Sequence, residues 1–238
     1  MAPDLLARCA RVWLLDTAAA RARGLHRDWH SLLDPEELGR ATRLRRPRER
    51  ERFVLGHGLL RLALSHHTGV APEAWRFARD PHGRPWIAEP QHPGLFFSAS
   101  RCPGLVGVLL CDQPCCGLDV ERVGRTKDPT GVARGHFDPG EQARLAATPT
   151  RHRDSFFARH WALKEAWAKA VGRGLDLPVH RVSFDVGPHL DVHVTMPPPL
   201  GDPAAWSFHL HQPGPDHMLA VALGQRTKRQ VVVGAWAG

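Results

Sequence analysis

Gly117-Leu118-Asp119-Val120-Glu121 alternates apolar and acidic residues. On a strand, Asp119 and Glu121 fall on one side, with Leu118 and Val120 on the other, in the core. Two carboxylates side by side repel each other, and a cation between them relieves the repulsion. A hard divalent ion suits them: Mg²⁺ takes oxygen ligands and usually shares them with substrate phosphates, and Mn²⁺ is the alternative. Taken alone, the same pentapeptide also describes a half-exposed strand with solvated acids.

The second constellation is Trp161-Ala-Leu-Lys164-Glu165-Ala-Trp-Ala-Lys169. On a helix, Trp161, Lys164, Glu165 and Ala168 share a face, and Glu165 lies one turn before Lys169. A helix stiffened by a Glu–Lys pair has the same spacing. Lysine is scarce here, however: the chain has only Lys127, Lys164, Lys169 and Lys228 among 32 basic residues. An ammonium is a compact point charge that suits a phosphate oxygen. Together the two motifs offer three carboxylates and two ammoniums, a set for metal-assisted chemistry on a diphosphate. A metal ion would absorb developing charge, lysines would hold the leaving phosphate, and one carboxylate would accept the proton of an attacking hydroxyl.

Asp119 and Glu121 belong to a short strand over 117–121, and the lysines to a helix over 152–171 that ends at Gly172. Asp138-Pro139-Gly140-Glu141 and Asp34-Pro35-Glu36-Glu37 read as helix starts with capping boxes. An earlier helix containing Phe53 and Arg61 stops at Gly69, and strands are expected at 11–15, 75–79, 94–100 and 105–111. Further strands fall at 181–186, 190–195, 205–211 and 217–223. The order of the two halves repeats. Phe53, Arg61, Gly69 and Phe77 in the first correspond to Phe157, Lys164, Gly172 and Phe184 in the second. The expected fold is α+β, a pseudo-twofold duplication in which each half is a long helix on a small antiparallel sheet. The halves are 1–115 and 116–238, the second carrying the metal and catalytic motifs. A cleft between such halves is a natural ligand site.

The 238 residues carry a formal charge of +8 and 42% hydrophobic side chains, which suits a cored globular protein with anionic partners. No run of about 18 apolar residues is present, so no membrane-spanning segment is expected. Five cysteines without a Cys-x-x-Cys pair read as reduced thiols, and the sixteen histidines have no zinc spacing. The expected location is the cytoplasm.

Gly-Leu-Asp-Val-Glu, followed about forty residues later by Trp-x-x-Lys-Glu-Ala-x-x-Lys, resembles the paired signatures of 4'-phosphopantetheinyl transferases, in particular the larger surfactin-synthetase-activator type. The likeness runs from the Asp34-Pro35-Glu36 helix to the strand at 217–223. It implies a monomer of two similar α+β halves with coenzyme A bound between them. The phosphopantetheine arm would pass to a serine of an acyl or peptidyl carrier protein, releasing 3',5'-ADP. Asp119, Glu121 and Glu165 would match the family's metal-binding acids, with Glu165 also the general base. Lys164 and Lys169 would stand near the diphosphate, Lys169 the nearer. Arg52 and Arg84, the latter in Gly83-Arg84-Pro85, match basic positions at the nucleotide end. Ser98-Ala99-Ser100 stands where the family often has Ser-His-Ser, so a phosphate-contacting histidine is replaced by Ala99. Glu37 occupies a position where lysine is usual. The nearby run Arg40, Arg43, Arg45 and Arg46 is what remains to meet the phosphate, with Arg43 and Arg46 chosen as candidates.

Two other readings compete. A degenerate homologue would bind coenzyme A without transferring. A basic module using 40–52 would bind nucleic acid in a salt-sensitive way. The second has no accompanying motif and leaves Asp119 and Glu121 without a purpose, so no nucleic-acid partner is expected.

Overall fold

The computed structural model describes residues 9–224 and 230–237. The chain separates into two compact units, Met1–Pro114 with Arg229–Gly238, and Cys115–Lys228.

The first unit opens with strand β1 (Cys9–Asp16) and two short helices, α1 (Thr17–Ala22) and α2 (Leu25–Asp28). Helix α3 (Pro35–Arg43) follows, then α4 (Pro47–Thr68), a hairpin of β2 (Arg76–Arg79) and β3 (Pro85–Glu89), and a hairpin of β4 (Phe96–Cys102) and β5 (Leu105–Cys111). The second contains β6 (Cys116–Arg122), α5 (Pro129–His136), α6 (Pro139–Ala147), α7 (Thr150–Val171), a hairpin of β7 (Ser183–Val186) and β8 (Val192–Thr195), and a hairpin of β9 (Trp206–Gly214) and β10 (His217–Gly224). Strand β11 (Gln230–Ala235) returns to the first unit.

The sheets carry the duplication. In the first unit β1, β5 and β4 lie in that order, antiparallel; in the second β6, β10 and β9 do the same. Each unit adds a separate two-stranded hairpin, β2–β3 or β7–β8, and each has a 22-residue helix closed by a left-handed glycine, Gly69 or Gly172. The expected α+β class, with helices on small antiparallel sheets, is what forms. The equivalence differs in one place from the sequence reading. Phe53 and Phe156 each stack on the histidine one turn later, His57 and His160, with ring centres 3.9 Å apart in both cases, so Phe156 and not Phe157 repeats Phe53.

The last strand also departs from a simple two-halves division. β11 runs parallel to β1, with Val12 opposite Val233, and so extends the first sheet. The division at 115/116 placed that segment in the second half, but its backbone groups are satisfied by the N-terminal strand.

Both long helices are anchored by the same buried device. Asp34 and Glu37 form a capping box at α3, and Asp138 and Glu141 form one at α6. Each capping glutamate then pairs with a cation on the long helix: Glu37 Oε2 lies 2.6 Å from an Arg61 nitrogen, and Glu141 Oε2 lies 2.8 Å from Lys164 Nζ. Arg61 also donates to the carbonyls of Pro72 and Trp75, and Lys164 to those of Val179 and Val182. Such pairs tolerate burial because every charged atom has a partner. Among the described residues no helix is long and apolar enough to cross a membrane.

Candidate functional site

Strand β6 is buried on both faces up to Val120. Leu118 and Val120 point one way, and Gly117, Asp119 and Glu121 the other. In register with these three are Ala222, Ala220 and Met218 of β10, which pack against Ala162, Ala166 and Ala170 of α7. The acids therefore lie on the helix-covered side of the sheet. Gly117 makes this possible: a Cβ there would run into the backbone of Ala166 and Ala170. Alanines on the helix and a glycine on the strand let α7 sit directly on β6.

That close approach brings Lys169 to Asp119. Lys169 Nζ lies 2.6 Å from Asp119 Oδ1 and 3.2 Å from the carbonyl of Leu118. Asp119 is 4% exposed, while Lys169 keeps about a third of its side chain in solvent. Glu165, one turn before Lys169, has its pKa raised by burial and then by the charge of Asp119, against the pull of Lys169 and His136. Glu121 is pushed up to about 7, first by burial and then by Asp119, although Arg125 lies 3.3 Å from its carboxylate. Asp119 is thus the common neighbour of both glutamates. Burial is the larger cause of their raised proton affinity, and the negative charge of Asp119 adds to it.

Do these residues fit a divalent ion? The oxygen-only donor set and the mutual repulsion fit. As the side chains lie, however, among the described residues no three metal-ligating groups are close enough together to hold one. Lys169 stands on Asp119 in that arrangement. A bound ion would require the carboxylates to turn toward one another.

Lys164 is corrected by the structure. Sequence spacing put it beside Glu165 and Lys169, at a phosphate. Its side chain is 2% exposed, and its three donor directions go to Glu141, Val179 and Val182. Burial lowers its pKa against the pull of Glu141. It holds α7 to α6 and the β7 approach, and no donor is left for a ligand. The sequence signal was available in Glu141, which completes a capping box and was read only as that.

The nucleotide-end candidates divide. Arg43 and Arg46 are exposed, and Arg46 pairs with Glu49 at 3.4 Å. Ser98 is buried on β4. Arg84, which donates to the carbonyl of Pro114, lines a cavity of about 480 Å³ with Trp86 and Phe96. The cationic cavity is elsewhere in the first unit. It measures about 360 Å³ and is lined by Arg40, His57, Arg79, Ala99 and Arg101, among others. Arg40 and Arg101 lie over the ring of Phe53, at 5.4 and 5.3 Å. Burial and then the charges of Arg40, Arg52 and Arg79 lower the pKa of Arg101. Three guanidiniums, Arg40, Arg79 and Arg101, thus line the cavity, with Arg52 close enough to act on Arg101. Of the acids in the same wall, Asp34 and Glu37 are paired with Arg61 and Glu36 acts on Arg79, which leaves a site with a basic excess suited to an anion. The sequence reading named Arg52 but missed Arg79 and Arg101, which reach the cavity from strands that their own neighbours give no reason to link.

Comparison with known proteins adds an independent line. Residues 115–222, which hold Asp119, Glu121, Glu165 and Lys169, match the family model of the 4'-phosphopantetheinyl transferase superfamily. The 4'-phosphopantetheinyl transferase HetI of Nostoc is 30% identical over 197 residues, covering 82% of this chain and 80% of the relative. The transferase Sfp of Bacillus subtilis is 29% identical over 167 residues, covering 70% of this chain and 71% of its own. Among solved structures, the holo-(acyl-carrier-protein) synthase of Thermotoga maritima is 23% identical, with a TM-score of 0.38, over 48% of this chain and 64% of that one. A likeness of this strength, extending over four fifths of both HetI and this chain, makes the protein a member of the 4'-phosphopantetheinyl transferase superfamily, a family of transferase enzymes.

Proposed function

We propose that the protein moves the 4'-phosphopantetheine arm of coenzyme A onto a serine hydroxyl of an acyl or peptidyl carrier protein, with Mg²⁺ and releasing 3',5'-ADP. The observation that carries the reading is the half-buried contact between Asp119 and Lys169, flanked by two glutamates whose proton affinity is raised by burial and then by Asp119. The bond that forms joins the serine oxygen to the β-phosphorus, and the bond that breaks joins that phosphorus to the oxygen bridging to the α-phosphate.

Glu165 takes the serine proton as the general base. Lys169, on releasing Asp119, turns its ammonium to the phosphate oxygens on which charge accumulates. Asp119, Glu121 and Glu165 would hold the divalent ion, which when bound neutralises the diphosphate. Arg40, Arg52, Arg79 and Arg101 take a phosphate group of coenzyme A in the first unit, and Arg84 supplements them at the nucleotide end. We take the working protein to be a cytosolic monomer with no nucleic-acid partner.

Mass spectrometry of an apo carrier protein incubated with coenzyme A, Mg²⁺ and this protein tests the reading. The carrier should gain the mass of phosphopantetheine, and Asp119→Ala or Glu165→Ala should reduce the rate by about 10²–10⁴-fold. Absence of any gain across fatty-acid, polyketide and peptide carriers sinks the proposal.

A further inference from the structure

The two units repeat in finer detail than their strand order. Three residues after the capping-box glutamate stands an arginine, Arg40 after Glu37 and Arg144 after Glu141. Four residues before the buried cation stands a histidine, the half-buried His57 before Arg61 and the buried His160 before Lys164, each with Nδ1 against the carbonyl one turn back. The buried cation lies against a strand phenylalanine in both, with Arg61 5.2 Å from the ring of Phe77 and Lys164 5.7 Å from that of Phe184.

In the first unit the arginine, the histidine and the two residues after the phenylalanine line the cationic cavity. The equivalent four positions of the second unit, Arg144, His160, Asp185 and Val186, line a cavity too. It measures about 300 Å³, and Arg159 of α7 joins its wall.

The second cavity is lined by two arginines, Arg144 and Arg159. Arg144 donates one N–H to the carbonyl of Phe184, at 2.8 Å. Arg159 Nε is buried with no hydrogen-bond partner among the described residues. Among those residues neither guanidinium forms an ion pair. Asp185 stands exposed at the edge of the cavity. His160 is held neutral, its pKa pushed down to about 4 by burial, so the charge is that of the two arginines.

A buried guanidinium donor costs free energy until an acceptor meets it, and paired guanidiniums match the oxygens of a tetrahedral anion. The volume admits a phosphate or a small phosphomonoester. We infer that the cavity walled by Arg144, His160 and Arg159 is a second phosphate-binding site, built by the duplication and separate from the transfer chemistry.

Calorimetric titration of the full chain with inorganic phosphate, and in a parallel arm with glycerol 3-phosphate, tests this. Wild-type protein should bind two equivalents of the preferred anion. Arg159→Ala should abolish or weaken by about tenfold or more the second equivalent alone, as loss of one charged hydrogen bond predicts. Arg101→Ala should remove the other. Asp185→Asn, a surface change that leaves the fold alone, should tighten the second site by relieving repulsion. The stronger-binding arm identifies the natural source as free phosphate or a phosphomonoester. A single equivalent in wild type, or two equivalents unchanged in both Arg159→Ala and Asp185→Asn, overturns the inference. Transfer activity need not change in either variant, so failure here leaves the proposed reaction to its own test.

Discussion

Lys164 and Glu165 are neighbours in sequence with opposite fates. One turns inward to Glu141, and the other faces the carboxylate of Asp119. Changing Lys164 to Met leaves Glu141 buried without its cation, which should cost about 3–5 kcal/mol in urea unfolding. The double change Lys164→Met with Glu141→Leu should recover part of that, because an apolar pair of similar size replaces an ion pair. Folded Lys164→Met protein should keep a kcat within a few-fold of wild type, unlike Lys169→Met. Equal loss of kcat in both at full folding would return Lys164 to the reacting groups. Glu121 offers a second test, through its proton. Its folded pKa of about 7 lies above the 4.5 of a free carboxyl, so the folded state binds the proton more tightly than the unfolded chain. Its contribution to stability is therefore fully present below about pH 4.5 and is lost as pH rises through about 7. Glu121→Gln removes that loss. Metal-free thermal melts should show the variant gaining on wild type between pH 4.5 and 8, by about 3 kcal/mol at the upper end. A gap between the two proteins that does not vary with pH would rule this out. Added Mg²⁺ should stabilise wild type more at pH 8 than at pH 5.5.

At the scale of elements, the contact of α7 with β6 controls whether Asp119 and Lys169 meet at all. Gly117→Ala places a methyl against helix backbone, which cannot move aside as a side chain end would. The expected cost is at or above the upper end of about 1–3 kcal/mol for overpacking. The larger effect should be on kcat, since displacing α7 carries Lys169 away from Asp119. An alanine variant with normal stability and kcat would mean that the strand and helix are not in this contact. The elements legible in the sequence are those with local signals. The Asp-Pro-x-Glu boxes start α3 and α6, and Gly69 and Gly172 stop α4 and α7. Alternation marks β6, and apolar runs mark β5 and β10. Five were not read. α1 and α2 are helices of six and four residues, too short to show a helical period. α5 contains Gly131 and Gly135 and depends on the Asp128 cap. β3 begins at a proline and alternates weakly, so its ladder to β2 defines it. β11 has a valine run, but its partner is at the other end of the chain. The same limit applies to the site. Asp119, Glu121, Glu165 and Lys169 sit in two compact motifs, whereas Arg79 and Arg101 are solitary residues that only tertiary structure gathers.

At the scale of the whole molecule, the first and last described strands are tied together within one unit. β11 runs along the outer edge of β1 from Cys9–Gln230 to Leu14–Ala235, and the amide of Trp236 donates to the carbonyl of Leu14 at 2.7 Å. The Trp236 ring meets Trp13 edge-on, with centres 5.2 Å apart, and His66 of α4 lies 6.1 Å away. An edge strand left bare would present unpaired backbone groups along β1, an invitation to pair with another chain. The duplicated order β1-β5-β4 and β6-β10-β9 does not need β11, since the second unit's sheet stands as three strands. The extra strand therefore acts on the first unit alone. Trp236→Ala should destabilise that unit by about 1–2 kcal/mol, the value of a half-buried aromatic and its edge contacts. Removal of the chain beyond Gly224 should do more. Hydrogen exchange can separate the units: amides of β1 should lose protection in both variants, while those of β6 and α7 keep theirs. Because the carboxylates and Lys169 lie in the unit that β11 does not join, kcat at saturating coenzyme A should survive Trp236→Ala at temperatures below the first unit's melting. Equal loss of protection in β1 and β6 would instead mean that the two units unfold as one.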